Sequence, residues 1–383
     1  MERLWTKNYI MLTITALLLF SGFYLLMPTL PIFIKELGGS ESQVGVIIGL
    51  FTISAVIFRP IVGGLMDRYG RRIFIISGLL FFAITMYFYD WVTGIAFLIA
   101  LRILHGVGWA IATTSIGTAV TDVIPSSRRG EGMGWYGLAI TLGMALGPIL
   151  GLWIVKSFSF HYLFLLCTGL ALLALVLALC TKVPVIRHTS KEPISFFDKM
   201  ILPIATVTFF LTLTFGGITT FLPLFAEDIQ VNAGAFFLIY AVTITVIRPL
   251  TGKLSDKHGE SIIVIPALFI MILSLFVLAM TEGIVGLVIT AVLYGIGFGA
   301  AQPALQVATI RLASPEKRGV ANATFFTAFD LGIGLGAILL GFVSQLMGYH
   351  MVFIICAISG FISLLLFILF VKKTLHVSQA KSM

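Results

Sequence analysis

The sequence predicts an all-α membrane protein of twelve transmembrane helices in two pseudo-symmetric six-helix bundles. Three observations predict it. Hydrophobic residues make up 59% of the chain and charged residues only 10%, with a mean hydropathy of +1.10, whereas a soluble domain carries about 25% charged residues. Twelve apolar runs are long enough to cross a hydrocarbon core, which takes about 20 residues each. The frame R-P-x-x-G-x-x-x-D-x-x-G occurs twice, as Arg59, Pro60, Gly63, Asp67, Gly70 and as Arg248, Pro249, Gly252, Asp256, Gly259, 189 residues apart. Two similar halves, each with charge at the edge of an apolar segment, are the plan of many secondary transporters.

The runs follow in order. The first, 8–32, comes after Arg3 and Lys7 and so resembles a signal peptide; no small-residue cleavage site follows it, and it is read as the first span. Runs 42–66 and 73–90 flank the first copy of the frame. Run 94–120 carries Arg102 and His105 one helical turn apart. Run 132–156 repeats glycine every four residues at Gly143, Gly147 and Gly151, a stripe that permits close helix approach. Pro148 inside that run removes a backbone hydrogen bond and can kink the helix. The expected role of the stripe is packing between the halves. Run 160–181 closes the first bundle, 1–181. Residues 182–199 hold Lys182, Pro184, Arg187, Lys191, Glu192, Pro193, Asp198 and Lys199, and form a polar linker. The second bundle, 200–383, has runs 200–225, 232–253, 261–281, 284–310, 320–345 and 350–371, with the second frame copy after 232–253 and Asp330 inside 320–345.

Basic residues orient this map. Nineteen of the 24 Lys and Arg fall on one side, only Lys35 and Lys156 on the other, and Arg59, Arg102 and Arg248 within spans. The positive-inside rule then makes 182–199 a cytoplasmic linker and puts both termini in the cytoplasm, in a multi-pass protein of the cell membrane. The net charge of +8 sits in short loops rather than on one soluble domain, which argues against nucleic acid. Cys167, Cys180 and Cys356 lie inside apolar runs without metal-ligand spacing, so no metal is expected. Glycine runs such as Gly295, Gly297 and Gly299 follow no strand, there is no Walker signature, and no cofactor is expected. The 189-residue register extends to Gly106 with Gly295, Gly108 with Gly297, Gly143 with Gly332, Gly147 with Gly336, and Arg129-Gly130 with Arg318-Gly319.

These residues resemble the major facilitator superfamily, within it the twelve-span drug:proton antiporter type. Gly63, Leu65, Asp67, Arg68, Gly70, Arg71 and Arg72 match the superfamily's signature between the second and third spans, and Gly252, Leu254, Asp256, Lys257 and Gly259 form a degenerate second copy with Glu260 and Ser261 where arginines would be. Arg102, Gly106 and Gly108 are similar to the fourth-span motif, with His105 for the commoner glutamine. Gly143, Gly147, Pro148 and Gly151 resemble the fifth-span antiporter motif, with Leu152 departing from it. The resemblance implies two bundles rocking about a midplane site. It also implies a cytoplasmic gate of Gly63, Asp67, Arg71, Asp122 and Asp256, in which Asp67 faces the positive N-terminus of the eleventh span near Arg318-Gly319 and Asp122 pairs with Arg71. For Arg68 and Arg72, ordinary topogenic charge is an equally good reading.

Charge inside the membrane is costly, about 2.5–3.5 kcal/mol at the bilayer centre, so its retention marks function. Arg102 and His105 are expected to form the substrate or proton site, because histidine titrates near neutral pH; a structural, hydrogen-bonded histidine is the alternative. Asp330 and Arg59 are expected to pair. Arg248 is expected to meet carbonyls near Gly147-Pro148 or the substrate, and Tyr24 is the main polar group of the first span. Further cavity candidates are Thr113, Thr219, Gln302, Gln306, Asn322, Trp109, Trp135 and Tyr294. Three arginines, one histidine and one aspartate within spans are net positive, which favours a neutral, zwitterionic or anionic small-molecule substrate. The expected function is proton-coupled export by a monomer. Proton symport or facilitated import is the first rival; a channel lacks a ring of pore residues, and a membrane enzyme lacks clustered catalytic groups.

Overall fold

The computed structural model describes residues 3–125, 128–182, 200–313 and 318–375. Among these the regular structure is entirely helical: α1 (Lys7–Leu26), α2 (Leu30–Glu36), α3 (Glu41–Tyr69), α4 (Arg71–Phe88), α5 (Ile95–Val123), α6 (Arg129–Ser157), α7 (Phe160–Leu179), α8 (Leu202–Asp228), α9 (Ala233–His258), α10 (Glu260–Ala279), α11 (Ile284–Leu312), α12 (Arg318–Met347) and α13 (Tyr349–Leu366). α1 and α2 are one span, Lys7–Glu36, interrupted at Pro28. The Thr29 hydroxyl reaches back to the carbonyls of Leu25 and Leu26, both at 3.0 Å, and so occupies acceptors that the break leaves open. Counted this way, twelve helices among the described residues are long and apolar enough to cross a membrane. The predicted all-α, twelve-span class is what the chain adopts.

The frame is explained by its last glycine. α3 reverses into α4 at Gly70, and α9 into α10 at Gly259, with φ of 89° and 87°. Each glycine N–H still closes the preceding helix, on Met66 at 2.9 Å and on Ser255 at 2.8 Å. With ψ of 152° and 160° the backbone is in a region essentially reserved to glycine, where another residue costs about 1–3 kcal/mol, so a one-residue reversal between long helices calls for glycine.

By contacts the chain forms two compact units, Met1–Gly39 with Leu50–Glu192, and Ser40–Gly49 with Pro193–Met383. In the first, α1 packs on α6 and α7, and α4 on α5 and α7. In the second, α8 packs on α12 and α13, α10 on α11 and α13, and α9 on α11. The opening residues of α3 belong with the second unit: Gly341 Cα is 3.1 Å from where a Cβ on Gly45 would stand, and the Gly334 carbonyl is 2.6 Å from one on Gly49.

The 189-residue repeat holds in space as well as in sequence. A Cβ on Gly106 would strike the Phe51 carbonyl and lie 3.0 Å from Ser54 Cβ; on Gly295 it would lie 3.4 Å from the Tyr240 carbonyl and 2.7 Å from Thr243 Cβ. Gly108 stands against Phe82, and Gly297 against Met271. Gly147 stands against Tyr24, and Gly336 against Leu213. Each contacting residue is displaced by the same 189 positions as its glycine. The glycines were kept where two helix backbones cross, at the same crossings in both units.

One expectation is corrected. The stripe of Gly143, Gly147 and Gly151 was expected to pack between the halves. A side chain at these positions would instead meet Ser21, Tyr24 and Leu25 of α1, within the first unit. With no hydrophobic drive between helices in lipid, such close backbone approach is what holds α1 to α6.

Candidate functional site

α5 runs unbroken from Ile95 to Val123 and turns Arg102, His105 and Trp109 to one buried face, at the three- and four-residue spacing of a helix. α4 ends in a short 3-10 turn, Tyr89–Trp91, which sends the Tyr89 ring back beneath α5. The three polar side chains meet there. Arg102 Nη1 donates to the Tyr89 oxygen at 3.3 Å, and Tyr89 Oη lies 2.9 Å from His105 Nδ1. Arg102 is 4% exposed, and Tyr89 and His105 are fully buried.

The donor roles in this triad are assigned so that the buried phenol hydrogen keeps an acceptor. A guanidinium only donates, so the phenol oxygen accepts from Arg102 and its proton is free for His105. Nδ1 is then the acceptor, and a neutral His105 carries its hydrogen on Nε2. That buried Nε2 has no hydrogen-bond partner. Aromatic rings surround it: Phe82 and Phe51 have centroids 4.6 and 5.1 Å from the imidazole. The Arg102 guanidinium lies 4.1 Å over the Phe51 ring, a cation–π contact made in a water-poor setting. Trp109 extends the aromatic group, with Phe23 stacked on it at 4.3 Å and Phe20 edge-on at 4.9 Å. Tyr24 joins at the far side, 5.2 Å from Phe23.

The structure thus brings Arg102 and His105 together through Tyr89, a residue that sequence reasoning missed. Its only signal was a tyrosine at the end of a span, in the aromatic stretch Tyr87–Trp91, where an interfacial belt residue is the ordinary assumption. At the equivalent positions the second unit carries Leu278, Ala291 and Tyr294. Tyr294 occupies the register of His105 and shares a hydrogen bond with Thr214 at 2.9 Å. It stacks on Phe298, which stacks on Phe215.

Other candidates are dispersed. Arg248 Nη2 donates to Gln302 Oε1 at 3.2 Å, linking α9 to α11 in the second unit. Arg59 belongs to the first unit and Asp330 to the second. Cys167 is buried and its thiol donates to the Gly22 carbonyl at 3.4 Å, a packing role. Of the gate residues, Arg71 and Asp122 meet, with Nε and Oδ2 2.6 Å apart. Among the described residues, a Cβ on Gly63 or on Gly252 would have nothing within 4 Å. The side chains of Asp67, Arg68, Asp256, Lys257, Arg318 and Asn322, with residues 183–199 of the linker, lie outside the described residues.

A family model described as Major Facilitator Superfamily matches residues 12–281 and 204–382. The staphylopine export protein of Staphylococcus aureus is 25% identical, over 95% of this chain and 96% of that protein. The multi-drug resistance efflux pump PmrA of Streptococcus pneumoniae is 27% identical, over 86% of this chain and 87% of the pump. Among solved structures, a bacterial homologue of the human lysosomal transporter Spinster superposes with a TM-score of 0.78 at 18% identity, over 97% of both chains. The human organic anion transporter MFSD10 superposes with a TM-score of 0.71 at 19% identity, over 94% of this chain and 98% of the other. At these identities the structural likeness speaks for the fold alone.

Proposed function

The chain belongs to the Major Facilitator Superfamily and is a multi-pass membrane transporter, not an enzyme, and from that premise we propose that it exports a small molecule across the cytoplasmic membrane in exchange for protons, by alternating access. Relatives named for export or efflux support the direction. The observation that carries the coupling is the Arg102–Tyr89–His105 triad. A proton arriving on Nδ1 turns that nitrogen from acceptor to donor. The phenol oxygen then faces two cationic donors, and its own hydrogen loses its acceptor. Proton occupancy is thereby tied to the packing of α4 on α5, with no carboxylate required. The Nε2–H stays a donor in both protonation states and can meet an acceptor on a substrate, which suits neutral, zwitterionic or anionic molecules.

Under this reading Asp67, Asp256 and the Arg71–Asp122 pair form a cytoplasmic gate with Gly63, both termini are cytoplasmic, and Arg59 and Asp330 neutralise each other during the cycle. The protein works as a monomer. Proton symport is the second reading, favoured by the same triad: an imidazolium beside Arg102 draws an anion in with the proton rather than exchanging for it.

The test is flux in proteoliposomes under an imposed pH gradient, with radiolabelled nucleosides, carboxylates and zwitterionic peptides as probes. Accumulation against the substrate gradient, driven by opposing proton flow, supports the proposal. Movement in the same direction as protons selects symport. Uncoupled equilibration, or coupling that survives His105→Ala, overturns the role given to the triad.

A further inference from the structure

The histidines near the starts of α7 and α13 make one contact twice. His161, the second residue of α7, sets Nδ1 2.7 Å from Asp90 Oδ2. His350, the second residue of α13, sets Nδ1 2.7 Å from the Ala279 carbonyl. Residues 161 and 350, like 90 and 279, are 189 apart. Each histidine staples its helix to the end of the helix it packs on, α7 to α4 and α13 to α10.

What the staple holds differs between the units. In the second, the acceptor is a main-chain carbonyl in the last turn of α10, one of those a helix end leaves open. A carbonyl only accepts, so His350 Nδ1 carries the hydrogen. The residue before Ala279 is Leu278, apolar and fully buried. In the first unit the acceptor is a side chain, and the residue before Asp90 is Tyr89, the middle member of the triad. Tyr89 and Asp90 share the 3-10 turn Tyr89–Trp91. α7 grips that turn at two points of one face: His161 holds Asp90, and Phe164, three residues on, packs its ring 5.5 Å from that of Tyr89. The ring contact is non-directional and lets the phenol slide. The hydrogen bond to a carboxylate is directional, and it sets how far the turn reaches towards α5. His161 is 54% exposed and Asp90 25%. An exposed pair adds little to global stability, so its leverage is local.

We propose that Asp90 and His161 are positioning residues for the Arg102–Tyr89–His105 triad. Their bond fixes the 3-10 turn so that the Tyr89 oxygen stays within reach of both Arg102 and His105. The second unit keeps the same staple beside Leu278, which has no polar atom to aim. The proposal rests on the proton-coupling reading only for its effect on flux; the positioning belongs to the first unit by itself.

The experiment is a double-mutant cycle on the full chain, read by Tm in one detergent. Asp90→Ala should lower Tm in the wild-type background and clearly less in the Tyr89→Phe background, where the bonds that the turn positions are already gone. His161→Ala should behave in the same way. A pair with a merely structural role loses the same amount in both backgrounds, so additive losses overturn the proposal. Asp90→Asn keeps an oxygen acceptor for the Nδ1 hydrogen and should restore both Tm and the non-additivity. The second unit is the control: His350→Ala and Tyr294→Phe should add, and equal non-additivity there overturns the proposal as well. In the pH-gradient flux assay Asp90→Ala should lose about tenfold in maximum rate, equivalent to about 1.4 kcal/mol, with Asp90→Asn close to wild type. Full coupled flux in Asp90→Ala, beside an active wild type, overturns the proposal. If the cycle is non-additive but the wild type carries no proton-driven flux, the coupling reading fails and the positioning assignment survives.

Discussion

Replacing Tyr89 with phenylalanine isolates the triad, because it removes one oxygen and leaves the ring. Two buried partners lose it: Arg102 Nη1 at 3.3 Å and His105 Nδ1 at 2.9 Å. A hydrogen bond to a charged group contributes about 1.5–3 kcal/mol. A neutral side-chain bond between membrane helices averages about 0.6 kcal/mol, because the unfolded reference in lipid also finds partners. Tyr89→Phe is therefore expected to cost about 2–3.5 kcal/mol. The second unit provides a control. Tyr294 is as buried as Tyr89, but its hydroxyl meets the neutral Thr214, which also bonds the Leu211 carbonyl. Tyr294→Phe should cost only about 0.6 kcal/mol. Thermal unfolding in one detergent ranks the two variants, and the Tm loss for Tyr89→Phe should be several times that for Tyr294→Phe. Equal losses would mean that Arg102 does not depend on the phenol, and the tautomer assigned to His105 would lose its basis.

Three further outcomes follow from backbone geometry. Gln230 closes α8 at φ 56°, the one described non-glycine residue with positive φ. Gln230→Gly should stabilise the protein by about 0.5–1 kcal/mol, since relief of left-handed strain outweighs the added entropy of the unfolded chain; an unchanged or lower Tm would refute this. On α6, Gly151→Ala places a methyl against the Leu25 backbone, whereas at Gly143 the nearest atom would be 3.0 Å away. The first should lose about 1–3 kcal/mol to overpacking and the second clearly less, as read by Tm. Gly63→Ala adds a Cβ that meets nothing within 4 Å among the described residues and should leave Tm within a degree or two. If Gly63 is a gate residue, the same variant should lose most of its proteoliposome flux; full activity would remove Gly63 from the gate.

Much of the architecture can be read from the sequence because a bilayer leaves few options. Backbone groups in lipid must be satisfied within the segment, so an apolar run of the right length becomes a helix. Register was legible for a similar reason. Gly106, Gly108, Gly143 and Gly147 recur at 295, 297, 332 and 336 because two helices cross closely there, and a crossing leaves little or no room for a Cβ. What sequence could not supply was the partner across each crossing. The α6 stripe looks the same whether it faces the other half or, as found, α1. The site was less legible still. Arg102 and His105 advertise themselves by their charge, but Tyr89 is one tyrosine among 10. Only the 3-10 turn that ends α4 makes it the link between them. Glu260 shows the limit most sharply. Against the motif it reads as decay, and its meaning depends on Arg311, 51 residues away and itself a departure from the Asp122 of the first half. A pair exchanged together keeps its attraction while each member, seen singly, looks like loss. Internal repeats therefore reward comparison of pairs at equivalent crossings. At those positions each unit serves as the other's control, and the difference that remains, an ion pair set with its helix dipoles in one unit and across them in the other, is physical rather than statistical.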